Sequence, residues 1–252
     1  MKDEKTLAHI NLHAVLPLIG ELVSGDAEAG AIARGWRCSF RFAVRGGPAA
    51  FIQFRDGKAT AVAGKGRFPS VGFWFPSHGK LNAMFRGKGL PVLWTGFWNV
   101  GALRGFSRLA KRLEQVMRPT EEMLKDAKTF KLHVRMTLYA MTRGIKAVGE
   151  NDPEVSPLVV KARNGVAQFE VLPDGPATHV VLSDGRLEAR TGRAERANCY
   201  MKFADAGVLH ELALGGLDAY AALGNGSIRL EGYIPLIDTL NAALDRLGEY
   251  ME

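Results

Sequence analysis

Apolar residues recur at helical spacing from residue 7 to residue 23, where Leu7, Ile10, Leu16, Ile19, Leu22 and Val23 form one stripe. Pro17 sits inside that stretch and predicts a kink, because proline has no amide to give the helix. The period then changes. Residues 39–45 and 49–55 read as two strands of a hairpin, joined by Gly46-Gly47 and ended by Asp56-Gly57. Ala59–Ala63 and Val71–Phe75 read as a third and a fourth strand. Ser77 is placed to cap a helix over 78–86, and Gly87 to end it. The aromatic segment Leu90–Asn99 reads as a helix and Ala102–Arg104 as a strand. After Gly105, Leu109, Leu113 and Val116 mark an amphipathic helix.

The same order of signals returns later in the chain. Gly47-Pro48-Ala49, Asp56-Gly57 and Gly64-Lys65 reappear 128 positions on as Gly175-Pro176-Ala177, Asp184-Gly185 and Gly192-Arg193. Phe75, Gly79, Leu81, Gly87 and Gly96 likewise match Phe203, Gly207, Leu209, Gly215 and Gly224. At an offset of 127, Leu103, Gly105, Leu109 and Leu113 match Leu230, Gly232, Leu236 and Leu240. Many matches at one fixed spacing point to an internal duplication. In the second copy Asp205 stands at the helix cap, Ser227–Leu230 is a strand, Gly232 breaks it, and Leu236, Leu240, Ala243 and Leu247 stripe the last helix. Thr120-Glu121-Glu122 starts a helix expected to run to about Val148, and Glu150-Asn151-Asp152-Pro153 ends it. The expected domains are therefore 1–119 and 120–252, with no Gly/Ser-rich linker between them.

The segment Tyr200-Met201-Lys202-Phe203-Ala204-Asp205, with Val208, Leu209 and Leu212, leads to Gly215-Gly216-Leu217-Asp218 and then to Gly224-Asn225-Gly226-Ser227-Ile228-Arg229-Leu230-Glu231-Gly232. This run resembles the carboxy-terminal half of sterol-carrier-protein-2 domains, across roughly residues 160–248. The first copy resembles the family through the internal repeat, and departs from it where Val92, Leu93, Trp94, Phe97 and Trp98 replace the mostly small residues at 219–223. The resemblance implies an α+β fold made of two such domains, each a mostly antiparallel five-stranded sheet covered on one face by helices. It also implies an apolar tunnel between sheet and helices, gated by the closing helix. Family members carry lipids, serve as modules of larger enzymes, or assist isoprenoid-quinone synthesis.

An apolar ligand is held by buried area and needs few polar groups. The candidate lining is therefore aromatic and aliphatic: Phe73, Phe75, Phe85, Trp94, Phe97, Trp98 and Phe106 in the first copy, and Phe203, Leu209, Leu212, Leu223 and Tyr233 in the second. The competing reading is that these side chains simply fill the core.

Charge adds an asymmetry. Residues 1–128 hold 20 Lys and Arg against 10 Asp and Glu, and residues 129–252 hold 13 against 16. The basic half suits anionic partners, such as a membrane surface or an acidic protein. Nucleic acid is not expected, because no aromatic–basic RNA motif accompanies the charge. His9 and His13 stand at i, i+4, yet no H-E-x-x-H frame or cysteine joins them, so no metal is expected. Gly64-Lys65-Gly66-Arg67 lacks the frame of a phosphate loop. No G-x-S-x-G motif occurs, and neither Cys38 nor Cys199 has a histidine partner in sequence. The chain is expected to need no cofactor and to catalyse nothing. Acidic residues at the amino terminus argue against a secretory signal, and no stretch reads as a membrane span. Two free thiols suit a reducing, cytoplasmic setting. Two roles follow: binding or transport of a sterol, fatty acyl or isoprenoid-type lipid, or an accessory module with filled cavities that docks on an enzyme of lipid or quinone metabolism.

Overall fold

The computed structural model describes residues 2–64 and 68–251. It divides into two units, Met1–Leu132 and His133–Glu252. The division falls within a helix, later than the expected 119/120 boundary.

In the first unit, α1 (Glu4–Ile10), a π-helical turn (Asn11–Val15) and α2 (Leu18–Gly25) follow one another almost without interruption. The wide turn accommodates Pro17, since the Leu16 amide reaches back five residues to the Asn11 carbonyl at 3.0 Å. The run Glu4–Gly25 is, at 22 residues, long and apolar enough to cross a membrane, which corrects the expectation that no stretch is. Most of it is buried within the unit: Leu7, Ile10, Leu12, Leu18, Ile19 and Leu22 all belong to the core. Then come α3 (Ala27–Ala33), β1 (Cys38–Val44), β2 (Ala49–Arg55), β3 (Lys58–Ala63), β4 (Val71–Phe75) and α4 (His78–Phe85). Ser77 caps α4 by accepting from the Lys80 amide. The expected helix over Leu90–Asn99 is instead β5 (Val92–Thr95), and the expected strand Ala102–Arg104 lies inside α5 (Val100–Met117). The strand wins because β4 offers an edge to pair with, Gly72 with Thr95 and Trp74 with Val92. The sheet order is β3-β2-β1-β4-β5, and only β1 and β4 run parallel.

The chain continues through α6 (Glu121–Leu124) and α7 (Ala127–Asn151). These replace the single helix expected from residue 120, and Asp126 restarts the chain by accepting from the Thr129 amide at 2.9 Å. The second unit then has α8 (Ser156–Lys161), β6 (Gly165–Val171), β7 (Ala177–Ser183), β8 (Arg186–Thr191), β9 (Cys199–Phe203), α9 (Ala206–Ala213), α10 (Ala219–Gly224), β10 (Ile228–Gly232) and α11 (Ile234–Met251). Asp205 caps α9 through the Val208 amide at 3.0 Å. The sheet order is β10-β9-β6-β7-β8, with β6 and β9 the one parallel pair.

Read in chain order, the two mixed sheets have the same topology. They differ in three connections, one of them the link to the closing helix, which is four residues after β5 and one after β10. The loop between β1 and β2 has four residues and that between β6 and β7 has five. Six residues join α4 to β5, whereas fourteen, including α10, join α9 to β10. The 127-position matches near the end of the repeat are therefore not kept: Leu103 and Gly105 lie in α5, whereas Leu230 and Gly232 lie in β10. In the shared topology Gly232 stands where Gly96 does, each at the end of the strand before the closing helix. Both have positive φ, 93° and 79°. A Cβ on either would strike the carbonyl that precedes the neighbouring strand, Asn198 for Gly232 and Ser70 for Gly96.

Candidate functional site

In each unit the closing helix, α5 or α11, lies over the face of the sheet carried by the parallel pair. Strand alternation decides which side chains look into that seam. In the first unit Phe40 and Phe42 of β1 stand beside Val71 and Phe73 of β4. In the second unit the same rungs are Ala167 beside Cys199 and Phe169 beside Met201. The seventh residue of the closing helix is Phe106 in α5 and Leu240 in α11.

These exchanges make the two seams physically different. In the first unit Phe40 and Phe106 have ring centroids 4.5 Å apart, Phe42 and Phe73 4.8 Å, and Phe42 and Phe106 5.6 Å. Phe54 and Trp36 extend the cluster, their centroids 5.1 Å apart. The rings occupy the space between helix and sheet. In the second unit Ala, Met and Leu stand where three of those rings would be, and a gap remains. It is lined by Ala167, Phe169, Cys199, Met201, Ile237 and Leu240, with Gln168, Tyr200 and Asn241 beside them. Its volume is about 10 Å³, which accommodates at most one water. Ligand pockets have roughly 300–1,000 Å³. At this seam the expected open tunnel is therefore not formed, and the seam is closed.

Helix α11 is held unevenly over this gap. Toward its C-terminus, Arg246 and Tyr250 bond to Asp152, and Leu247 lies against Gly144 of α7, where any side chain would collide with it. Over the gap it presents Ile237, Leu240 and the polar Asn241, and just before its start the Tyr233 amide donates to the Asn198 carbonyl at 2.9 Å while the buried Leu236 lies against Gly165. Burial pushes the Cys199 thiol up to about 11, so the lining cysteine is a neutral thiol at ordinary pH.

The sequence candidates scatter around this geometry. Phe73 and Phe75 are buried in β4, Phe106 is part of the ring cluster, and Phe85 is half-buried at the end of α4. Trp94, Phe97 and Trp98 lie on the surface. In the second unit Phe203 and Leu209 are core residues, Leu212 is half-buried, and Leu223 is exposed on α10. Tyr233 lines a separate, open groove of about 410 Å³ with Leu158, Lys161, Arg163 and Asp238. None of the five second-unit candidates lines the closed gap. The residues that do were missed, because what marks them is the pairing register that sets Ala167 opposite Cys199. Among the described residues no group of three or more His, Cys, Asp or Glu side chains is placed to hold a metal. Lys65, Gly66 and Arg67 of the glycine-lysine segment lie outside the described residues.

Residues 145–245 match the model of the SCP-2 sterol transfer family. The matched stretch runs from the second half of α7 into α11 and contains every residue lining the closed gap. No curated protein matches the chain. Similar solved structures include the UbiJ-SCP2 ubiquinone synthesis protein, 20% identical over 42% of this chain and 94% of that one, with a TM-score of 0.32. The sterol carrier protein domain 2 of Helicoverpa armigera is 21% identical over 44% of this chain and 87% of its own, with a TM-score of 0.35. Palmitated SCP2L2 from Aedes aegypti is 22% identical over 41% and 90%, with a TM-score of 0.31.

Proposed function

We propose that the second unit binds a hydrophobic ligand of the sterol, fatty acyl or isoprenoid class in the seam between α11 and the β6–β9 pair, and carries it without altering it. The observation that carries this reading is the replacement of ring bulk by Ala167, Met201 and Leu240 under a helix whose side-chain hydrogen bonds to the buried Asp152 lie at its far end. The family match over residues 145–245 supports it. Entry requires the N-terminal half of α11 to lift. A ligand would then replace Ile237 and Leu240 against the sheet, held by roughly 25 cal/mol for each Å² removed from water.

The first unit is read as a copy of the same domain whose seam has been filled by Phe40, Phe42, Phe73 and Phe106. That filling favours the accessory role for this half: a non-catalytic module, in a reducing cytoplasmic setting, that brings the binding unit to its place of work. No cofactor is assigned to either unit.

Native mass spectrometry of the gently purified chain, followed by solvent extraction, tests the proposal. One equivalent of extractable lipid supports it. An apo mass that is unchanged by fatty acid, sterol and quinone, with no displacement of a fluorescent fatty acid, refutes it. Two equivalents would refute the filled-seam reading of the first unit.

A further inference from the structure

The surface of the first unit holds a feature that the seam does not explain. From residue 57 to residue 113 the chain carries ten Lys and Arg and not one Asp or Glu. The corresponding stretch of the second copy, residues 185–247, contains eight acids. Within the acid-free run the structure exposes large apolar side chains along the β5 edge and at the start of α5. Leu90 is 91% exposed, Val92 51%, Trp94 42%, Phe97 66% and Trp98 68%, and Phe68 is 87% exposed with its ring 6.1 Å from that of Trp94. Phe97 and Trp98 meet edge to face at 4.7 Å. Arg86, Lys88, Arg104 and Arg108 flank them, all exposed.

Single exposed apolar residues need no explanation, but a cluster of this kind does. We propose that this face docks the first unit onto an anionic phospholipid bilayer. Trp settles at the headgroup level, and Phe and Leu bury into the boundary between headgroups and acyl chains. Lysine and arginine near an anionic membrane surface each add attraction. The total lack of carboxylates over 57 residues removes the repulsion that such a surface would otherwise meet. Strand addition by a second copy is a poorer fit, because β5 has four residues, follows Pro91 and pairs irregularly at Gly72/Phe73. The inference is independent of whether the second unit carries a ligand.

The test is co-sedimentation of the full chain with vesicles of phosphatidylcholine alone and of phosphatidylcholine with phosphatidylglycerol. Binding should require phosphatidylglycerol and weaken with salt. The double variant F97A/W98A should lower it by about tenfold or more, and R104A/R108A by on the order of tenfold. Both pairs are exposed, so the variants should keep the circular dichroism of the parent chain. Brominated lipid should quench tryptophan emission in the parent chain, and less in Trp98→Phe. The proposal is overturned by failure to bind phosphatidylglycerol vesicles at low salt, or by binding that F97A/W98A leaves unchanged. It is also overturned by a concentration-dependent dimer that F97A/W98A dissolves, which would assign the face to a second copy.

Discussion

Arg246 of α11 places its Nε 3.0 Å from Oδ2 of Asp152, the residue that follows α7. The same oxygen accepts from the Tyr250 hydroxyl at 2.7 Å, while Oδ1 accepts from the Glu154 amide at 2.9 Å. Asp152 is fully buried. Burial alone would raise its pKa, but the bonds from Tyr250, Arg246 and the Glu154 amide outweigh that and hold it below the usual carboxylate range. Removing one partner of a buried pair costs about 3–5 kcal/mol. Asp152→Asn should therefore loosen α11 and expose its amides to hydrogen exchange. A depressed pKa gives stability that is complete above the unfolded value, about 3.9, and is lost as pH falls through the folded value. Exchange from α11 should accordingly accelerate on acidification below about pH 4 in the parent chain, and less so in Asp152→Asn.

Cys199 offers a direct reading of the seam. In a Cys38→Ser background its thiol, raised to about 11 by burial, should react slowly with a disulfide reagent at pH 8. Asp152→Asn should speed the reaction by freeing α11, and added fatty acid should slow it. A rate indifferent to both would separate α11 from access to the gap.

The ring cluster of the first unit predicts a large mutational effect. Phe40 is fully buried and touches Phe54, Phe73 and Phe106. Phe40→Ala should destabilise the first unit by about 3–5 kcal/mol, measured by urea unfolding. It should also open a dry cavity that takes up a small apolar dye, whereas the parent unit takes up none.

His9 is half-buried on α1, its ring centroid 5.2 Å from that of His13. Burial first, then His13, Lys5 and His78, lower its pKa to about 4. It stays neutral in the fold while the unfolded chain takes up a proton near pH 6.5. The stability of the first unit should fall as pH drops from 6.5 to 4, and His9→Gln should flatten that fall. Proton NMR of the ring gives the folded pKa itself.

Gly96→Ala and Gly232→Ala should each cost more than about 1 kcal/mol, because the left-handed backbone at both positions is combined with a neighbouring carbonyl. Thermal scans of the two variants should show the loss in different units.

Features with local causes were legible in the sequence. The hairpins, the caps at Ser77 and Asp205, and the helix ends at Gly87 and Gly215 depend on neighbours a few residues away, and all are present. Gly105 was misleading for a physical reason. It resembles a strand-ending glycine, yet it sits inside α5, where it makes room for the Trp36 indole. Leu90–Asn99 has neither helical nor alternating periodicity, and β5 forms because β4 supplies a partner from a distant part of the chain. The seam was hidden by one residue. The longer loop between β6 and β7 shifts the first strand, so a constant offset of 128 sets Phe40 against Gln168, whereas the ladder sets it against Ala167. The small-for-large exchange that defines the gap becomes visible only through the pairing.

The filled seam of the first unit separates the thermodynamics of the two halves. A ligand that binds only the folded second unit raises the stability of that unit by RT ln(1 + [L]/Kd), while a core already occupied by its own phenylalanines has no vacancy through which to respond. On the proposed reading, melting the chain against increasing lipid should therefore move one transition and leave the other where it was, so that the unresponsive half serves as an internal reference for the half proposed to bind.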